Sequence, residues 1–60
     1  MTADENKVLA QLNWKIGLEP KILARASGLR QTDCDDACAK LVERGLITFK
    51  YGSYRRKRGS

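Results

Sequence analysis

The chain has no histidine, so the side chain that most often titrates near neutral pH is missing. Zinc sites built on imidazole are excluded with it. Cysteine occurs twice, too few for a structural four-ligand site in one chain. Proline occurs once, tryptophan once and phenylalanine once. No run approaches the roughly 18 apolar residues that a membrane span needs. The polar, acidic start Met1-Thr2-Ala3-Asp4-Glu5 is unlike a secretory leader, which begins basic and turns apolar. These features predict a cytoplasmic chain with reduced thiols and no membrane partner. At 60 residues there is room for one domain and a shallow core, not for a deep catalytic cleft. Ser27 and Ser53 have no histidine to activate them. Neither an enzyme nor a cofactor is expected.

Acidic residues are in the minority, 7 against 12 Lys and Arg, for a net charge of +5. The excess is local. Residues 1–19 sum to −1, 20–31 to +3, 32–45 to −2 and 46–60 to +5. The last segment carries Lys50 and the run Arg55-Arg56-Lys57-Arg58, with Tyr51 and Tyr54 beside them. A basic end with interleaved aromatics points to a polyanion partner, the plainer reading being a solvated tail.

The pattern of the chain predicts three helices and a hairpin. Thr2-Ala3-Asp4-Glu5 reads as a capping box. Val8, Leu9, Leu12 and Ile16 share one helical face, giving helix 1 over about residues 3–14. Trp14 falls near its end, as core or as a lid over the core. Lys15-Ile16-Gly17-Leu18 reads as a very short strand. Pro20 suits a first helical position, with Ile22, Leu23 and Ala26 as the buried face of helix 2, about residues 20–27. Gly28 ends it. Thr32 is the expected cap of helix 3, about residues 33–44, whose stripe is Cys34, Ala37, Cys38, Leu41 and Val42. Gly45 stops that helix. Beyond it the period becomes two, and a hairpin over about 46–58 turns at Gly52-Ser53. The predicted core is Leu12, Ile22, Leu23, Leu29, Ala37, Leu41, Val42, Leu46 and Ile47. A three-helix bundle with a basic tail is the competing topology.

Ile22-Leu23-Ala24, Ser27-Gly28-Leu29, Ala37, Leu41 and Gly45-Leu46-Ile47 carry a resemblance to the winged helix-turn-helix family. The match spans Leu18 to Ile47 and is similar to small regulators of the MarR-like and ArsR-like kind. It implies a mainly α fold with a small β-hairpin, one domain over residues 1–60, and a role as a double-stranded-DNA-binding transcriptional regulator. The resemblance places Arg30, Gln31, Thr32, Asp33, Asp36 and Lys40 on the face that enters the major groove. Lys21 falls near phosphate. Lys50, Tyr51, Tyr54, Arg55, Arg56, Lys57 and Arg58 form the wing. Arg30 suits guanine and Gln31 adenine.

One departure stands out. The outer face of helix 3 shows Asp36, Ala39, Lys40 and Glu43, with Asp35 at its side, and is net acidic. Carboxylates there are repelled by phosphate. Binding led by the wing is one resolution. The other is an interaction module that offers this acidic face to a protein partner or to RNA. A weak homodimer through helix 1 is the expected oligomer if one forms. Cys34 and Cys38 stand on the apolar stripe and read as small core hydrophobes rather than metal ligands.

Overall fold

The computed structural model describes residues 1–59, so Ser60, the last residue of the expected domain, lies outside the described residues. Among them the chain forms α1 (Ala3–Gln11), α2 (Pro20–Ser27), α3 (Gln31–Glu43), β1 (Ile47–Lys50) and β2 (Ser53–Arg56). The two strands are antiparallel, with Ile47 opposite Arg56, Thr48 opposite Arg55, Phe49 opposite Tyr54 and Lys50 opposite Ser53. Three helices and a hairpin are thus as expected, and the all-helical alternative is set aside.

The first helix starts where its local chemistry requires. Glu5 N donates to Thr2 Oγ1 and Thr2 N donates to Glu5 Oε1, both at 3.2 Å, completing the capping box. It ends at Gln11, three residues short of expectation. Leu12 is already extended. The Asn13 side-chain oxygen then accepts from Lys15 N at 2.9 Å and Ile16 N at 2.8 Å. That Asx turn offers the backbone a better local partner than another helical turn. Ile16, placed by periodicity on the buried face, is 65% exposed as a result.

The α2 helix begins at Pro20 as expected, but it is rolled about its axis. Leu23 and Ala24 are buried, whereas Ile22 and Ala26 face solvent. In an eight-residue helix either face reads as apolar, and only the packing against α1 and α3 chooses. Ser27 can sit beside the core because its hydroxyl donates back to Leu23 O at 2.6 Å. Gly28 adopts φ 72°, and Leu29 N returns to Ala24 O at 3.0 Å, the Schellman pattern.

The α3 helix begins two residues before the expected start. Arg30 is its cap residue, and Thr32 lies within the helix. Arg30 provides no side-chain cap; instead the Gln31 amide donates to Pro20 O at 3.1 Å. A tertiary contact, rather than a hydroxyl, sets this end. Cys34, Ala37, Cys38 and Leu41 are buried as the stripe predicts, while Val42 is 41% exposed. At the far end Gly45 N donates to Val42 O and Leu46 N to Leu41 O, again closing a Schellman motif.

The core comprises Val8, Leu9, Leu12, Leu23, Ala24, Cys34, Ala37, Cys38, Leu41 and Ile47, with Leu18, Leu29, Leu46 and Tyr54 packed against it. The hairpin turns at Tyr51-Gly52 rather than Gly52-Ser53. Both residues have positive φ, 55° and 76°, as a two-residue type I′ turn demands. The strands are shorter than the expected 46–58. Beyond Arg56, Lys57 N donates to Leu46 O and closes the base of the hairpin. Leu18 exchanges two 2.8 Å hydrogen bonds with Tyr54, so the expected short strand reduces to one bridge on the free edge of β2.

Candidate nucleic-acid interface

Strand β2 lies between β1 and the segment 13–18, and it brings most of the basic run to one end of the molecule. Side chains alternate across the sheet. Ile47, Phe49, Tyr54 and Arg56 therefore share the face toward the helices; Thr48, Lys50, Ser53 and Arg55 share the other. Tyr54, expected on the binding surface, is packed against the core with its ring 4.6 Å from that of Phe49. Burial raises its phenol pKa, and Cys38, Asp35 and Cys34 nearby push the same way. Arg56 also lies on the inward face, and its Nε is buried without a hydrogen-bond partner among the described residues. Strand alternation is the reason both leave the outer surface.

The outward group is Lys50, Tyr51, Arg55, Lys57 and Arg58. Tyr51 is 99% exposed at the tip of the turn. Arg55 Nη1 reaches Lys15 O at 3.5 Å, and Arg56 N donates to Asn13 O at 3.0 Å. Segment 13–18 is thereby tied to the basic strand. It contributes Lys15 and Trp14, which the site prediction omitted. The guanidinium of Arg58 lies 4.8 Å from the Trp14 ring centroid and the Lys15 ammonium 5.3 Å. Each such exposed contact contributes about 0.5–1 kcal/mol. Only the pairing of 13–18 with β2 reveals Trp14 as part of this surface, since local periodicity assigns it to the end of a helix.

A second group gathers where α2 and α3 begin. Lys21, Arg30, Gln31 and Thr32 are all exposed. Their donors are partly committed. Arg30 Nε pairs with Asp33 at 3.1 Å, and Gln31 Nε2 serves both Pro20 O and Asp35 Oδ1, the latter at 2.9 Å. With its amide nitrogen so occupied, Gln31 is not poised for bidentate contact with adenine.

Lys40 departs from both groups. It lines a cleft of about 200 Å³ between α1 and α3, with Thr2, Asp4, Glu5, Asp33, Asp36 and Ala37. Four of those seven residues are acidic, so Lys40, itself exposed, stands among carboxylates rather than in a basic patch. At the cleft's floor Glu5 is only 1% exposed, and Arg44 Nη2 comes within 3.7 Å of its Oε1. The burial of Glu5 had no sequence signal beyond its capping role.

The two thiols are buried in the core. Burial raises both pKa values, and Cys38, next to the Cys34 sulfur, is pushed up to about 12. The helix N-terminus therefore does not activate Cys34, and its inward position is the reason. Among the described residues no three His, Cys, Asp or Glu side chains are arranged to hold a metal ion. Among the described residues no helix is long and apolar enough to cross a membrane.

No family model matches this chain, and no curated protein or solved structure matches it either.

Proposed function

We propose that the chain is a winged helix-turn-helix domain that binds double-stranded DNA through its hairpin, as a small regulator or accessory factor rather than an enzyme. The observation that carries this reading is the cluster of Lys50, Arg55, Lys57, Arg58 and Lys15 around one small sheet. Such a cluster neutralises phosphates and releases their counterions, which gives affinity with little regard to sequence. Lys21 and Arg30, at the starts of α2 and α3, extend the phosphate contacts. The acidic outer face of α3 makes base readout secondary, and the hairpin leads.

That same face favours one other reading, an interaction module in which Asp35, Asp36 and Glu43 meet a basic partner surface. A fluorescence-anisotropy titration against random duplex DNA over a range of salt separates the two. Under the DNA reading, Lys50→Ala with Arg55→Ala lowers the slope of log K against log salt by about 0.9 per residue. Asp36→Lys then strengthens duplex binding. Absence of duplex binding at low salt sinks the DNA reading, and capture of a basic protein lost in Asp36→Lys supports the module.

A further inference from the structure

Duplex binding by the hairpin leaves one feature without a role. Trp14 is the single tryptophan of the chain, and it is 45% exposed in the most basic region of the molecule. The ring lies outside the core, beside Arg58 and Lys15, with nearly half of its surface open to a ligand. Its position is nonetheless well defined. Asn13 locks the following turn with two side-chain hydrogen bonds and accepts Arg56 N. Leu18 pairs with Tyr54. Between them Gly17 lies so close to β2 that an added Cβ would sit 2.7 Å from Ser53 Cβ. Both ends of the short segment bearing Trp14 are thus fastened to the basic strand.

We infer that Trp14 is a stacking platform for an unpaired base, so that the preferred ligand is nucleic acid in which a duplex gives way to a single strand. This rests on the nucleic-acid reading above and narrows it. Within a duplex each base is already stacked on its neighbours, and its flat faces are closed to a side chain. An unpaired base has a free face, and stacking on an aromatic ring is tolerant of base identity. The cations suit the same ligand. A base laid on Trp14 brings its phosphates within reach of Arg58 and Lys15, which exchange ring contact for phosphate contact. Arg55, on the adjoining strand, continues the track toward the duplex-binding hairpin. A neutral apolar ligand would use the ring but leave these charges unanswered.

The test uses the native fluorescence of Trp14 and three probes: a blunt duplex, the same duplex with a short unpaired tail, and the tail strand alone. The tailed duplex is expected to bind about tenfold tighter than the blunt one, within the range for one stacked base. It is also expected to quench Trp14 and shield it from acrylamide, whereas the blunt duplex does neither. Trp14→Ala removes the tail preference, so that tailed and blunt duplex bind alike, and Trp14→Phe retains a preference. Equal affinity for blunt and tailed duplex overturns the inference alone and leaves duplex binding standing. A tail preference that survives Trp14→Ala, or that forms without shielding the ring, also overturns it. Binding to the tail strand but not to duplex upholds the platform and overturns the duplex reading. Failure to bind all three overturns both, as does quenching by anionic lipid vesicles alone. If Trp14→Ala does not fold, acrylamide shielding in the unaltered chain decides between the same outcomes.

Discussion

Glu5 joins three jobs in one side chain. It closes the capping box, lies buried under α3 and faces the Arg44 guanidinium. Glu5→Ala removes the return half of the capping box, the bond from Thr2 N, and leaves a gap beneath Arg44. The expected cost is about 1–3 kcal/mol, read as a lower urea midpoint with an unchanged slope. The buried thiols make a different prediction. Their folded pKa values lie above the ordinary value of 9.0. A raised pKa means the folded state holds its proton more tightly than the unfolded chain. The stabilisation is therefore complete below pH 9 and is lost as the pH rises toward about 12, the value for Cys38. A series of denaturant melts should show stability falling over that window. Thiol reagents at neutral pH should label the unfolded chain and spare the folded one. Tyr51 presents a conflict between stability and surface. Its φ of 55° is unusual for a bulky residue, and at 99% exposure no packing compensates. Tyr51→Asn gives the Asn-Gly pair that a type I′ turn prefers. It should raise stability by about 0.5–1 kcal/mol, while weakening polyanion binding if the ring contacts the ligand.

The elements differ in how openly their residues announced them. Thr2 with Glu5, Pro20, and the glycines at 28 and 45 act within a few residues, and each element they govern has the expected character. The Cys34-Ala37-Cys38-Leu41 stripe was equally legible because four inward positions in a long helix leave one choice of face. Where a contact from elsewhere competes, the local reading erred. Helix α1 stops early because Asn13 and β2 capture the chain, and α3 starts early because Gln31 finds Pro20. The short α2 offered two apolar faces, so Ile22 was taken for core, and Val42 was read as the last residue of the α3 stripe; each is more than 40% exposed. The most demanding junction is Gly17 against Ser53. Gly17→Ala would drive a methyl into that strand and should cost about 1–3 kcal/mol, measurable in a thermal melt. It should also release Trp14 from its seat, seen as increased acrylamide quenching in the free protein.

For the molecule as a whole, charge is segregated rather than merely in excess. The cleft between α1 and α3 is acidic and the hairpin with segment 13–18 is basic. That separation predicts oriented binding to a polyanion, with the hairpin toward the ligand and the cleft away. Removing Arg55 and Arg58 together should weaken duplex binding strongly at low salt and little at high salt, and affinity titrations at two ionic strengths check it. Asp33 and Asp36, which line that cleft, should be replaceable by Asn without loss of affinity, since each change removes a negative charge and Asp33→Asn frees Arg30 from its ion pair. What the residues determined by themselves was the number and kind of elements, the inward stripe of α3 and the size and sign of the basic run. Periodicity, capping and turn chemistry act over a few residues and need no partner. Tertiary structure alone decided which way Tyr54 and Arg56 face, that Lys40 lines an acidic cleft, and that Trp14 joins the basic surface. Those outcomes depend on the register of β2 against β1 and Leu18, and on the fit of α1 against α3. The β1–β2 register follows from the Tyr51-Gly52 turn, but the pairing of Leu18 with Tyr54 and of Asn13 with Arg56 joins residues about forty positions apart, which no local pattern encodes.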